Sequence, residues 1–229
     1  MAPDIPAMPL TGVLGRSEPF RLPRILIADD GREPLQPQPG FQAGRLFRDT
    51  DLPALIAAVG TSAGPLAVDI DTIHGLQSDD AAVDFVIRRL GIEIVLTRRP
   101  QTAARIAQLG CLALLHVMAF DSTGIARSLD GHPRVAGVGT VVSPGLVLPH
   151  MRPSEVEQLP RPILAYGLII DPDDAWACLG LADGIVLRAD AAVRLAASLP
   201  LVAAAVPELA GDAALQSHGK LLTMVAGQE

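Results

Sequence analysis

Few residues in this chain have a type and spacing that could do chemistry, and most fall at the ends of short apolar runs. Asp69 and Asp71 stand two apart in PLAVDID (65–71). Positions two apart on a strand face the same side, so this run predicts two neighbouring carboxylates. Such a pair can share a proton, pair with arginine or hold a divalent cation. An ordinary strand-end or helix-capping acid is the alternative, more so for Asp71 than for Asp69, which lies inside the apolar run. Arg16, Arg98 and Arg188 each follow an apolar run. Three guanidinium groups on one rim would grip phosphate or carboxylate in bidentate fashion; taken singly, each also reads as a surface ion-pair partner. Gly167 precedes a helical run, where backbone N–H groups can approach an anion. His116 sits within CLALLHVMAF (111–120), either as a satisfied core histidine or as a ligand donor or general base. Asp29, Thr97, Pro144 and Gly145 complete the strand-end positions.

Other chemistries lack their residues. His74, His132, His150 and His218 fall in loops or the tail without metal-ligand spacing. There is no Gly-x-Ser-x-Gly, no Walker loop and no catalytic-cysteine context. No G-x-G-x-x-G follows the first strong strand. Cys111 and Cys178 fall on separate elements and read as buried reduced thiols. No cofactor and no metal are expected.

The positioning elements alternate between short apolar and amphipathic runs. Strands are predicted at 11–14, 24–29, 65–71, 92–97, 111–120, 139–145, 162–167 and 183–188. Helices are predicted at 51–60, 78–91, 99–110, 121–129, 152–159, 171–180 and 189–199, with aspartate or serine at many starts and glycine at several ends. About eight strand–helix steps close a parallel barrel, whose functional residues lie at the C-terminal strand ends; an open doubly wound sheet is the competing architecture. The expected organisation is an arm at 1–10, a single β/α-barrel domain at 11–199 and an extension at 200–229 that covers the barrel or a partner. Within the barrel, the Pro- and Gly-rich segment 30–44 reads as a loop able to fold over the rim as a lid.

Bulk properties agree. A chain of 229 residues, 49% hydrophobic but only 3% aromatic, suits parallel strands buried on both faces. The net charge of −7 disfavours non-specific polyanion binding, though a local basic rim remains compatible with it. The start, MAPDIPAMPL, lacks a signal peptide's basic region, and the apolar stretch 195–206 is too short to span a membrane. A cytoplasmic location is the expectation.

The segment 68–110 resembles the middle of the bacterial glycerol-3-phosphate-responsive antiterminator family. Asp71, Gly75, Leu76, Asp80, Phe85, Thr97 and Arg98 keep that family's order. FDS (120–122), SPGLVLP (143–149) and AYGLI (165–169) resemble its later motifs, Arg16 falls where it has an early arginine, and the likeness runs from about 11 to 197. The resemblance implies a TIM-type (β/α)8 barrel that binds sn-glycerol 3-phosphate and acts on the leader mRNA of glycerol-utilisation operons, without catalysis. Five positions depart from the pattern: Asp69 replaces His, His116 replaces Arg, Val141 replaces an acid, Tyr166 replaces a phosphate-loop Gly, and LRAD (187–190) replaces a Thr-Ser end.

Two functions follow. One is a ligand-sensing regulator using Arg16, Asp69, Asp71, Thr97, Arg98, His116, Gly145, Gly167 and Arg188 to hold a small phosphorylated metabolite, with mRNA or a protein partner downstream and a homodimer as a possible assembly. The other is a barrel isomerase or lyase with Asp69 or Asp71 as base, His116 as acid, and Arg188 with Gly167 as phosphate grip.

Overall fold

The computed structural model describes residues 22–30, 43–62, 64–195 and 198. Arg16, the segments 1–21 and 31–42 (hence most of the expected lid) and nearly all of 196–229 lie outside the described residues. Eight parallel strands close on themselves in chain order: β1 (Ile25–Asp29), β2 (Gly44–Phe47), β3 (Leu66–Asp69), β4 (Ile94–Thr97), β5 (Leu112–Met118), β6 (Val138–Ser143), β7 (Ile163–Tyr166) and β8 (Gly184–Arg188). Ile25 pairs with Ile185 to complete the ring. The architecture is the (β/α)8 barrel, and an open sheet is excluded.

The first stave is Ile25–Asp29, so the ring is complete without residues 11–14. The eighth stave is β2, on the other side of β1 and paired with β3, in residues that the sequence presents as loop end and linker. GRLF is too short for its alternation to register, and its outward position is charged. Arg45 lies between the sheet and α1 (Leu52–Thr61), where Nε donates to Asp29 Oδ2 at 2.8 Å and the guanidinium also reaches Ser62. Strand pairing absorbs the glycine as well: a Cβ at Gly44 would meet Leu26 Cδ2 at 2.7 Å.

Four of the helices start on aspartates. Asp51 accepts from Ala54 N–H to cap α1; Asp79 caps α2 (Asp80–Asp84), which continues as a π-helical turn through Arg89. Next come α3 (Pro100–Gln108), α4 (Ser122–Asp130, capped by Asp121), α5 (Pro153–Val156), α6 (Pro172–Leu179, capped by Asp171) and α7 (Ala189–Leu195). Each carboxylate satisfies an N–H that the first helical turn leaves unpaired. Since every helix begins beyond the C-terminal end of a strand, these acids gather at one end of the barrel.

Alternation along the strands divides the core. Leu26, Leu46, Ala67, Ile94, Leu96, Leu112, Leu114, Val141, Leu164 and Val186 fill the barrel interior. The other strand face packs against the helices through residues such as Val68, Val95, Leu115, Val142, Ile163 and Ile185.

Candidate functional site

The inward register continues past the apolar interior to the mouth. Two residues beyond Leu46, Ala67, Leu96, Leu114, Val141, Leu164 and Val186 stand Arg48, Asp69, Arg98, His116, Ser143, Tyr166 and Arg188. The interior therefore ends in a polar layer built from seven strands.

Asp69 and His116 form its floor. They are 1% and 8% exposed, and His116 Nε2 lies 3.7 Å from Asp69 Oδ2. This is too long for a hydrogen bond. Asp69 Oδ1, His116 Nε2 and Ser143 Oγ are buried and make no hydrogen bond. A buried polar atom without a partner is costly; Asp69 and His116 lie together on the floor, and Ser143 stands one inward step beyond Val141, the strand neighbour of His116. Val141, beside His116 in the strand register, is apolar and fully buried.

Arg48 crosses above this floor. Its Cζ lies 5.0 Å from the centroid of the Tyr166 ring, and its Nε donates to Asp49 Oδ2 at 2.7 Å. Stacking fixes the guanidinium plane and leaves its Nη edge for an anion. Sequence reasoning missed Arg48 because it also missed β2. The same two-residue step from inward apolar positions would have found Arg48 and Ser143.

Other expected residues are placed differently. Asp69 ends β3, but the strand stops there, and Asp71 falls in a 3₁₀ turn, Ile70–Thr72. The two carboxylates therefore do not share a strand face. Asp71 Oδ2 accepts from Thr97 Oγ1 at 3.0 Å and from Arg98 N–H at 2.6 Å, while Oδ1 lies 3.5 Å from Arg99 Nε. Asp71 and Thr97 thus brace the start of α3; Thr97 follows the outward register of Val95. Gly145 N–H donates to the Gly167 carbonyl at 3.1 Å, and a Cβ on Gly145 would lie 2.5 Å from Tyr166 N. Gly145 is a close-packing glycine that seats the β7 end. Gly167 has φ +92° with open space where a Cβ would stand. Arg188 is on the inward register, but its side chain is 81% exposed and its Nε donates to Asp190 Oδ1 at 3.2 Å. Hydrogen bonding from Arg194, with Arg188 beside it, holds the Asp190 carboxyl below the usual carboxylate range. Among the described residues no His, Cys, Asp or Glu cluster could hold a metal, and no helix is long and apolar enough to cross a membrane. A separate cleft of about 460 Å³, outside the barrel interior, is lined by Phe120, His150 and Arg152 among others.

A closed eight-stranded parallel barrel with polar side chains at its C-terminal mouth defines the class: a TIM-type barrel, an architecture that holds small ligands at that mouth. Residues 48–187 match the family described as glycerol-3-phosphate responsive antiterminator, and the chain belongs to that family. Two solved structures share the fold. The glycerol uptake operon antiterminator regulatory protein of Listeria monocytogenes is 20% identical, with a TM-score of 0.64 over 74% of this chain and 94% of that one. A glycerol uptake operon antiterminator-related protein of Thermotoga maritima is 21% identical, with a TM-score of 0.59 over 72% of this chain and 95% of that one. A comparison with curated protein sequences returns no match.

Proposed function

We propose that this protein is a cytoplasmic regulator whose barrel mouth binds a small phosphorylated metabolite of the glycerol 3-phosphate type, and that occupancy controls its action on the leader mRNA of glycerol-utilisation genes. The observation that carries the ligand reading is the unsatisfied polar floor of Asp69 and His116 beneath the guanidinium of Arg48. Family membership supplies the ligand class. A thermal-shift series with glycerol 3-phosphate, dihydroxyacetone phosphate, glycerol and inorganic phosphate tests it. Selective stabilisation by glycerol 3-phosphate, with the ligand recovered unchanged, supports the sensor; no shift with any phosphate refutes the ligand.

Charge distribution bears on the RNA. Asp51, Asp79, Asp121 and Asp171 make the rim of the mouth acidic. Arg89, Arg127 and Arg134 are exposed at the opposite end, where the helices finish, and pair with no described residue. We assign phosphodiester contact to that end, because backbone binding needs unpaired Lys or Arg and Arg98, exposed at the mouth with no described side-chain partner, stands among the rim acids. A leader transcript should then bind with a salt dependence that weakens when these arginines are neutralised. Unchanged binding in that variant would refute the assignment.

The approach of Asp69 to His116 also favours a second reading, a barrel isomerase in which the pair moves a proton on a phosphorylated substrate. Chemical change of the ligand in the same series would select it.

A further inference from the structure

We propose that the mouth holds its ligand in one orientation, with the hydroxyl-bearing end down on Asp69 and His116 and the anionic end up against Arg48. This deepens the phosphorylated-ligand reading and rests on it.

The floor and the layer above it differ in the chemistry they accept. Asp69 is 1% exposed and His116 8%, and their unpaired atoms form one acceptor and one group able to donate or accept. A hydroxyl is both donor and acceptor, so adjacent hydroxyls can bond Asp69 Oδ1 while accepting from His116. A phosphate set there would face the Asp69 carboxylate in a poorly screened interior, where like charges repel strongly. Val141, the inward neighbour of His116 on β6, offers no charge to offset that repulsion.

The cation stands above. Arg48 is 24% exposed at its side chain, stacked on Tyr166 and oriented by Asp49. Stacking leaves the guanidinium edge, the part that matches a phosphate oxygen pair, open. Arg188 is a poorer anchor: its side chain is 81% exposed against 24% for Arg48, and no described ring holds its guanidinium. Position and charge together fix a vertical polarity, hydroxyl acceptor below and guanidinium above.

The test is a calorimetric comparison on the full chain of two ligands, sn-glycerol 3-phosphate and propyl phosphate, which keeps the phosphate and lacks the hydroxyls. Arg48→Gln should weaken both by about tenfold or more, the loss expected for a charge-assisted contact. Asp69→Asn should weaken glycerol 3-phosphate by about tenfold and leave propyl phosphate unchanged or slightly tighter, since a repelling charge is gone. His116→Leu carries the floor arm if Asp69→Asn fails to fold. Equal loss of both ligands in the floor variants, or no loss of propyl phosphate in Arg48→Gln, overturns the orientation alone. Absence of glycerol 3-phosphate binding by the unsubstituted chain overturns the phosphorylated-ligand reading itself.

Discussion

Replacing Asp71 by Ala separates bracing from binding, because this aspartate was a candidate ligand group and the fold gives it other work. Its side chain is 7% exposed. The bond from the fully buried Thr97 hydroxyl has an ionised acceptor, worth about 1.5–3 kcal/mol. The Arg98 N–H lies at the surface, where water can replace the carboxylate, so its loss adds about 0.5 kcal/mol or less. Arg99 is 60% exposed, and a screened pair of that kind adds at most about 0.5 kcal/mol. The sum is about 1.5–4 kcal/mol. In a domain of this size each kcal/mol moves the midpoint by about 2–4 °C, so Tm should fall by about 3–16 °C. Guanidinium denaturation should show a lower midpoint with an unchanged m-value. The further rise in Tm on adding glycerol 3-phosphate should persist, because Asp71 turns to the β4 end rather than to the floor. An unchanged Tm with the ligand-induced rise abolished would refute this reasoning.

Two other perturbations probe the frame. Gly145→Ala should destabilise by about 1–3 kcal/mol and weaken ligand binding. Its Cβ would press on the backbone at Tyr166 N and Ala165 C and displace the ring under Arg48; a variant with wild-type Tm and affinity would contradict the close-packing role. Burial pushes the thiols of Cys111 and Cys178 up to about 11, with Glu93 and Asp174 respectively adding to the shift. A raised thiol pKa contributes stability that is complete below the ordinary value and lost as pH rises through the folded one. Stability should therefore decline from about pH 9 to about pH 11. Alkylation at pH 8 should require unfolding, and rapid labelling of the native protein would contradict the burial.

What the sequence revealed depended on how each signal was encoded. Strands buried on both faces are written as unbroken apolar runs, so β1 and β3 to β8 stood out and the barrel followed. The exception, β2, has four residues with an arginine on its outer face, and its charge hid it. That error removed Arg48, because the inward register could not be continued past Leu46 on an unrecognised strand. Asp69, Arg98, His116 and Arg188 were legible since each stands two residues beyond an inward apolar residue. Asp71 and Thr97 were misread for the converse reason: both lie close to a strand end, but one sits in a turn and the other on the outward face. Gly145 shows a further limit, as its need for hydrogen at Cα arises from the neighbouring β7 backbone, distant in sequence.

The central claim is that the inward polar layer at the barrel mouth is the ligand site. A crystal structure of the full chain with sn-glycerol 3-phosphate tests it most directly. The account predicts ligand density above the barrel interior, with hydroxyls within hydrogen-bond distance of Asp69 and His116 and phosphate oxygens against Arg48. Ligand seated instead in the outer cleft at Phe120, His150 and Arg152, with Asp69 and His116 untouched, would contradict it.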